Sequence, residues 1–209
     1  MSPAAPSLVP RTLVVYAISD EQPQAVELAH ELTQRTAAKE VSMEDGSLLL
    51  FERPSNAVEL ALEVNAGIQR LAEKASDRLW AKIAIHLTEV GYEQDQDLVT
   101  MGKRTWPLLT NLLDLARPTQ TLLTRTAYDL AQRAAVGTQD AKLSWQSCGG
   151  YRFLGWVEAI EVYAVDRGGI RPVHDRGRHA RRIGQEPGID VAGMSGAFKA
   201  ACLQFGAVG

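Results

Sequence analysis

Apolar and polar residues fall into blocks along this chain, and each change of period marks an element. Residues 12–18, TLVVYAI, are β-branched and apolar without polar alternation, the pattern of a central strand covered on both faces. From Gln24 to Arg35, Val26, Ala29 and Leu32 recur at helical spacing. Residues 39–43 (KEVSM) and 47–51 (SLLLF) read as two strands around a turn of Glu44, Asp45 and Gly46, a hairpin signal. Ser55 is placed to cap a helix whose stripe is Ala57, Ala61, Val64 and Ile68. Residues 79–87, LWAKIAIHL, resume the strand pattern, and YEQDQDL reads as the loop or hairpin after them.

Leu108, Leu109, Leu112 and Leu115 mark a further amphipathic helix, stopped by Pro118. A short strand (Gln120 to Leu123) and a short helix (Thr126 to Arg133) follow. Residues 142–147, 151–153 and 158–165 read as late strands, separated by Gly149, Gly150 and Gly155. The order β-α-β-β-α-β before these late pieces fits an α/β sandwich of the split βαβ type, a ferredoxin-like sheet with helices on one face and extra C-terminal strands.

The pattern fades at both ends. Residues 1–10 hold three prolines and little periodicity, so a loose leader is expected. From Asp166 the stretch RGGIRPVHDRGRHARRIGQEPG is rich in Arg, Gly and Pro, which predicts a mobile tail over 166–209. Within it, SGAFKAACLQF has the composition of a short terminal helix. The domain expected between the ends is 11–165.

Composition narrows the function. A chain of 209 residues can bury a real core in one domain. No apolar run approaches the ~20 residues of a membrane span, and MSPAAPSLVPRTLVV lacks the features of a signal peptide, so a cytoplasmic protein is expected. Cys148 and Cys202 have no metal-ligand spacing around them, which argues against a disulfide framework or a structural zinc. The net charge of −3 conceals an asymmetry: residues 1–165 carry 15 Lys and Arg against 21 Asp and Glu, and residues 166–209 carry 7 against 4. An acidic body argues against nucleic-acid binding by anything but the tail.

Four stretches, in order, resemble the catalytic domain of the class III adenylate and guanylate cyclases. LVVYAIS stands where that family has an apolar strand ending in an aspartate. EDGSLLLFERPSNAVELAL is similar to "GDGxLLxFxSPxxAVxxAL", and AKIAIHLTEV to "xRIGIHxGEV". The fourth runs from NLLDLARPTQTLLTRTAYDLA, similar to "RLexLAxPGQILlS", to GGYRFLGWVEAIEVYAV, similar to "GxyxLKGxxexxxvyxv". The resemblance covers roughly residues 11–165 and implies the cyclase fold and a head-to-tail pair of subunits.

It also implies a set of site positions, and most are substituted. The cyclases hold catalytic metal on two carboxylates. The first falls on Ile18 and the second on Asp45. An asparagine and an arginine that orient the ribose and stabilise transition-state charge fall on Pro107 and Asn111. The purine-selecting lysine falls on Val41, and the lysine of "LKG" on Leu154. The phosphate-approaching glycines become Ser19, Asp20, Glu21 and Gln22, of which two are acidic. Asp45 is therefore expected to serve its turn, since Asp before Gly favours tight hairpins. The metal reading needs Asp20, which shares a strand face with position 18.

The remaining candidates have plain readings. His86 is expected packed in the sheet with a satisfied ring nitrogen rather than acting as a base. Glu89, Glu93, Asp95 and Asp97 read as a solvated hairpin, not a calcium loop. Trp80, Trp106, Trp145 and Trp156 are expected in core or interface, with Trp106 beside Pro107 plugging the old ribose pocket. Arg167, Arg171, Arg176, Arg178, Arg181 and Arg182 read equally as a solubilising linker or as phosphate contacts.

The function expected from these readings is a catalytically inactive cyclase-homology domain acting as a dimerisation or regulatory signalling module, with no cofactor. The partner expected is a second copy or another cyclase-like chain, meeting a sticky surface of Trp106, Leu108, Leu109 and Leu112. Two alternatives stay open. One is a divergent active cyclase using Asp20, Asp45, Mg or Mn and ATP or GTP. The other is a nucleic-acid-associated protein binding through Arg176, Arg178, Arg181 and Arg182.

Overall fold

A computed structural model describes residues 7–19, 23–43, 46–75, 79–92, 99–135, 143–153, 156–167 and 180–182. The order is β1 (Ser7–Ile18), α1 (Pro23–Gln34), β2 (Lys39–Met43), β3 (Gly46–Phe51), α2 (Pro54–Ala75), β4 (Ala81–Tyr92), β5 (Val99–Met101), α3 (Thr105–Leu115), β6 (Gln120–Thr124), α4 (Arg125–Ala135), β7 (Ser144–Phe153), β8 (Ile160–Asp166) and β9 (Ala180–Arg182). The strands form one sheet in the order β2-β3-β1-β4-β6-β8-β7-β9, with β5 beside β4. The first four strands and two helices are the expected ferredoxin-like βαββαβ core.

β1 and β4 carry the sheet. They pair antiparallel along their whole length, from Ser7 opposite Tyr92 to Ile18 opposite Ala81. Their alternating side chains feed two separate cores. Val14, Ile83 and Ile85 point to one face, where Ala25, Ala29, Ala57, Ala61, Ile68 and Ala127 of α1, α2 and α4 close on them. Leu13, Val15 and Ala84 point to the other, under Leu108, Leu109, Leu112 and Leu115 of α3. α3 thus leaves the helix layer expected on a single face, because β1 and β4 are apolar on both sides and need cover on both.

The ends of the domain also differ from the sequence reading. Ser7 to Pro10, expected as leader, extend β1 along Glu89 to Tyr92 of β4. β3 pairs with β1 only from Thr12 to Val14, so β1 at Pro10 has β4 on one side and lies on the open edge of the sheet on the other, a place where proline is tolerated. β9, inside the expected mobile tail, pairs with Tyr151, Arg152 and Phe153 of β7. The stretch SGAFKAACLQF lies outside the described residues.

Two local readings are corrected. α2 starts at Pro54 rather than behind a Ser55 cap, and the Ala57 N–H reaches the carbonyl of Arg53 at 3.4 Å. Proline suits that place because first-turn N–H groups have no helical partner. Gly149 and Gly150 do not separate two strands. β7 runs through them, its register shifting between Ser147 and Gly149, with Gly149 at φ 100°. A glycine there absorbs the bulge that a side chain would strain.

Candidate functional site

The resemblance directs attention to the end of β1, the β2–β3 hairpin and α3. Ile18 closes β1 opposite Ala81, half-buried against the core under α1 and α2. The next residue, Ser19, is buried. Its N–H donates to the Trp80 carbonyl at 3.1 Å, and its hydroxyl accepts the Trp80 N–H at 3.3 Å. The chain leaving β1 is therefore tied to the start of β4. The hairpin closes with Met43 opposite Gly46, and the β1–β3 register puts Gly46 at the same end of the sheet as Ile18. Asp20 and Asp45 lie outside the described residues, as do Leu154, Glu93, Asp95, Asp97, Arg176 and Arg178. Val41, at the purine-lysine position, is half-buried on the α3 side of the sheet.

α3 presents Pro107 to solvent, with Asn111 half-buried one turn on. Pro107 sits in the first turn, where its missing N–H breaks no helical bond. Thr110 donates its hydroxyl towards the carbonyls of Trp106 (3.2 Å) and Pro107 (3.1 Å). The sticky surface expected here is corrected. Leu108, Leu109 and Leu112 are 2%, 0% and 0% exposed and belong to the chain's own core. Their stripe is consumed by the sheet, so only Trp106, half-buried at its edge, and Pro107 are left for a partner.

The structure brings together residues the sequence reading kept apart. His86 Nδ1 lies 2.9 Å from Thr124 Oγ1, which satisfies one ring nitrogen as expected, and joins β4 to β6. Burial lowers the His86 pKa to about 4, so the ring is neutral at pH 7. Lys82, in the AKIAIHLTEV stretch, was not a candidate. Its ammonium lies 5.6 Å from the centre of the Trp80 ring, burial lowers its pKa, and Asp114 of α3 pulls the other way. No spacing rule links positions 80, 82 and 114; the pairing of β4 with β6 and the packing of α3 do. Arg104 stands over the Trp156 ring at 5.6 Å. Trp145 meets Tyr128 edge-on at 5.4 Å, and Tyr128 stacks on Tyr163 at 3.9 Å. All four tryptophans are half-buried. Among the described residues, no three His, Cys, Asp or Glu side chains group as metal ligands. No described helix is long and apolar enough to cross a membrane.

No protein-family model and no curated protein matches the chain. Solved structures do. An adenylate/guanylate cyclase/hydrolase from Silicibacter pomeroyi superposes with a TM-score of 0.63 at 13% identity, over 78% of this chain and 99% of that one. An adenylate cyclase from Trypanosoma brucei, studied in its monomeric state, gives 0.61 at 15% identity, over 81% and 94%. The guanylyl cyclase Cya2 gives 0.52 at 13%, over 85% and 99%. With a sheet ordered as described, two cores and these superpositions, the chain has the fold of the class III adenylate and guanylate cyclase catalytic domain.

Proposed function

We propose that this domain has the cyclase fold without cyclase chemistry, and works as a dimerisation or regulatory module. The observation that carries the reading is Ile18. Where the resemblance calls for a metal-binding carboxylate, an aliphatic side chain ends β1 and packs on the helix-side core. A hydrocarbon side chain at that point supplies no oxygen for a divalent cation. On α3, Pro107 stands where the family pattern has the ribose-orienting amide, and Asn111 where it has the guanidinium. Loss of a single preorganised transition-state donor costs about 100- to 1,000-fold in rate.

Purified protein incubated with Mn or Mg and ATP or GTP is expected to form no cyclic nucleotide above background. Turnover that disappears in Asp45→Ala would overturn the proposal in favour of a divergent active cyclase. The partner in this reading is a second copy or another cyclase-like chain, engaged through the Trp106 and Pro107 end of α3.

A further inference from the structure

On the reading that this domain is a dimerisation module, we propose that its partner is a second copy of the same chain, and that residues 156–158, which lead into β8, complete the surface begun by Trp106 and Pro107. The Trp156 N–H donates to the Phe153 carbonyl at 3.1 Å, which fixes the approach to this segment. The next residue, Val157, is 81% exposed, the most exposed large apolar side chain among the described residues. Trp106 and Trp156 are both partly buried against the core under α3. Arg104, just before α3, joins the two pieces by standing over the Trp156 ring at 5.6 Å. Trp106, Pro107, Trp156 and Val157 thus offer apolar surface at one end of the molecule.

The charges around this surface select its occupant. Lys103 and Arg104 are exposed shortly before Trp106, and Glu158 is exposed beside Val157. Among the described residues none of the three forms an ion pair. An apolar patch with both signs of charge at its margin can be complementary to itself. In a pair related by a twofold axis the same patch faces itself, and every contact occurs twice. Arg104 then meets the partner's Glu158, and Glu158 the partner's Arg104, around Val157 and the two tryptophans. A guanidinium stacked on an aromatic face keeps its in-plane N–H groups free for a carboxylate. An anionic lipid surface or a wholly acidic protein would instead set like charge against Glu158.

Sedimentation velocity on the full chain tests this. Wild type should dimerise at tens of micromolar or below. Val157→Asp, Arg104→Glu and Glu158→Arg should each raise the dissociation constant by about tenfold or more, since each change enters the interface twice. All three side chains are exposed, so the melting of dilute protein should stay in place. Mixing the Arg104→Glu and Glu158→Arg chains should restore association to within about threefold of wild type, because both contacts of the mixed pair then join opposite charges. If Trp106→Ala weakens the dimer and these three variants do not, the proposal is overturned and the Trp106 interface stands. If the single variants weaken the dimer and mixing does not restore it, the twofold contact of Arg104 with Glu158 is overturned. A wild type that stays monomeric at tens of micromolar overturns self-association itself.

Discussion

Two residues sit in states that their neighbours impose. His86 is held neutral by burial, its pKa near 4 against the ordinary 6.5. Below pH 6.5 the unfolded chain gains a proton that the folded chain refuses until about pH 4. Stability is therefore lost as pH falls through that window, by up to about 1.4 kcal/mol per unit. Denaturant unfolding at pH 7 and pH 5 should show wild type losing roughly 1–2 kcal/mol more than His86→Gln; parallel losses would mean that His86 does not set the slope. Thr119 has φ 63°, in a turn whose Gln120 N–H donates to the Arg117 carbonyl at 3.0 Å with Pro118 between. This is the pattern of a type II turn, which favours glycine at that place, as the cyclase pattern "LAxPGQ" has. A β-branched residue is strained there. It stays because its N–H is tied to the Ala81 carbonyl at 2.7 Å and its hydroxyl to the Pro118 carbonyl at 2.6 Å. Thr119→Gly should stabilise the fold by about 1 kcal/mol. Thr119→Val, still strained and without the hydroxyl, should destabilise it.

At the scale of elements, α3 has one duty in the fold and a second in the proposed assembly. Its leucine stripe closes the second core: Leu109, Leu112 and Leu115 are each 0% exposed. Truncating such a residue leaves a cavity, so Leu109→Ala should cost about 2–5 kcal/mol of stability at any protein concentration. Trp106 lies at the edge of the stripe, half-buried and next to exposed Pro107. Trp106→Ala should act on assembly, weakening a dimer by about 2 kcal/mol or more, roughly 30-fold in Kd. Light scattering separates the two effects. A wild type that stays monomeric at tens of micromolar, or a Trp106→Ala variant that dimerises as well as wild type, would remove the interface from this helix end.

At the scale of the whole molecule, β9 closes one edge of the sheet. β9 covers β7 with three residue pairs, Tyr151 with Arg182, Arg152 with Arg181 and Phe153 with Ala180. A chain ending at Arg167 should keep a cooperative melt, because both cores lie within residues 7–167, but lose roughly 1–2 kcal/mol with those pairs. A chain ending at Ile183 keeps β9 and should melt like the full protein. If both truncations melt alike, β9 contributes nothing to the edge.

The sequence by itself determined the βαββαβ order, the hairpin of 39–43 and 47–51, the strand and helix types and the cyclase fold, because these rest on period and turn chemistry, which are local. The resemblance, read from the sequence alone, also implied that Ile18, Pro107 and Asn111 fall where cyclases carry chemistry. What it left open depends on which surface each element meets. An apolar stripe such as Leu108, Leu109 and Leu112 reads the same whether it will bury in its own sheet or in a partner; TLVVYAI called for cover on both faces, and only the packing of α3 on the sheet showed what covers the second. The contact of His86 with Thr124 and the field of Asp114 on Lys82 were equally invisible. They join residues 38 and 32 positions apart through strand pairing and helix packing, and nothing in their local sequence records the juxtaposition.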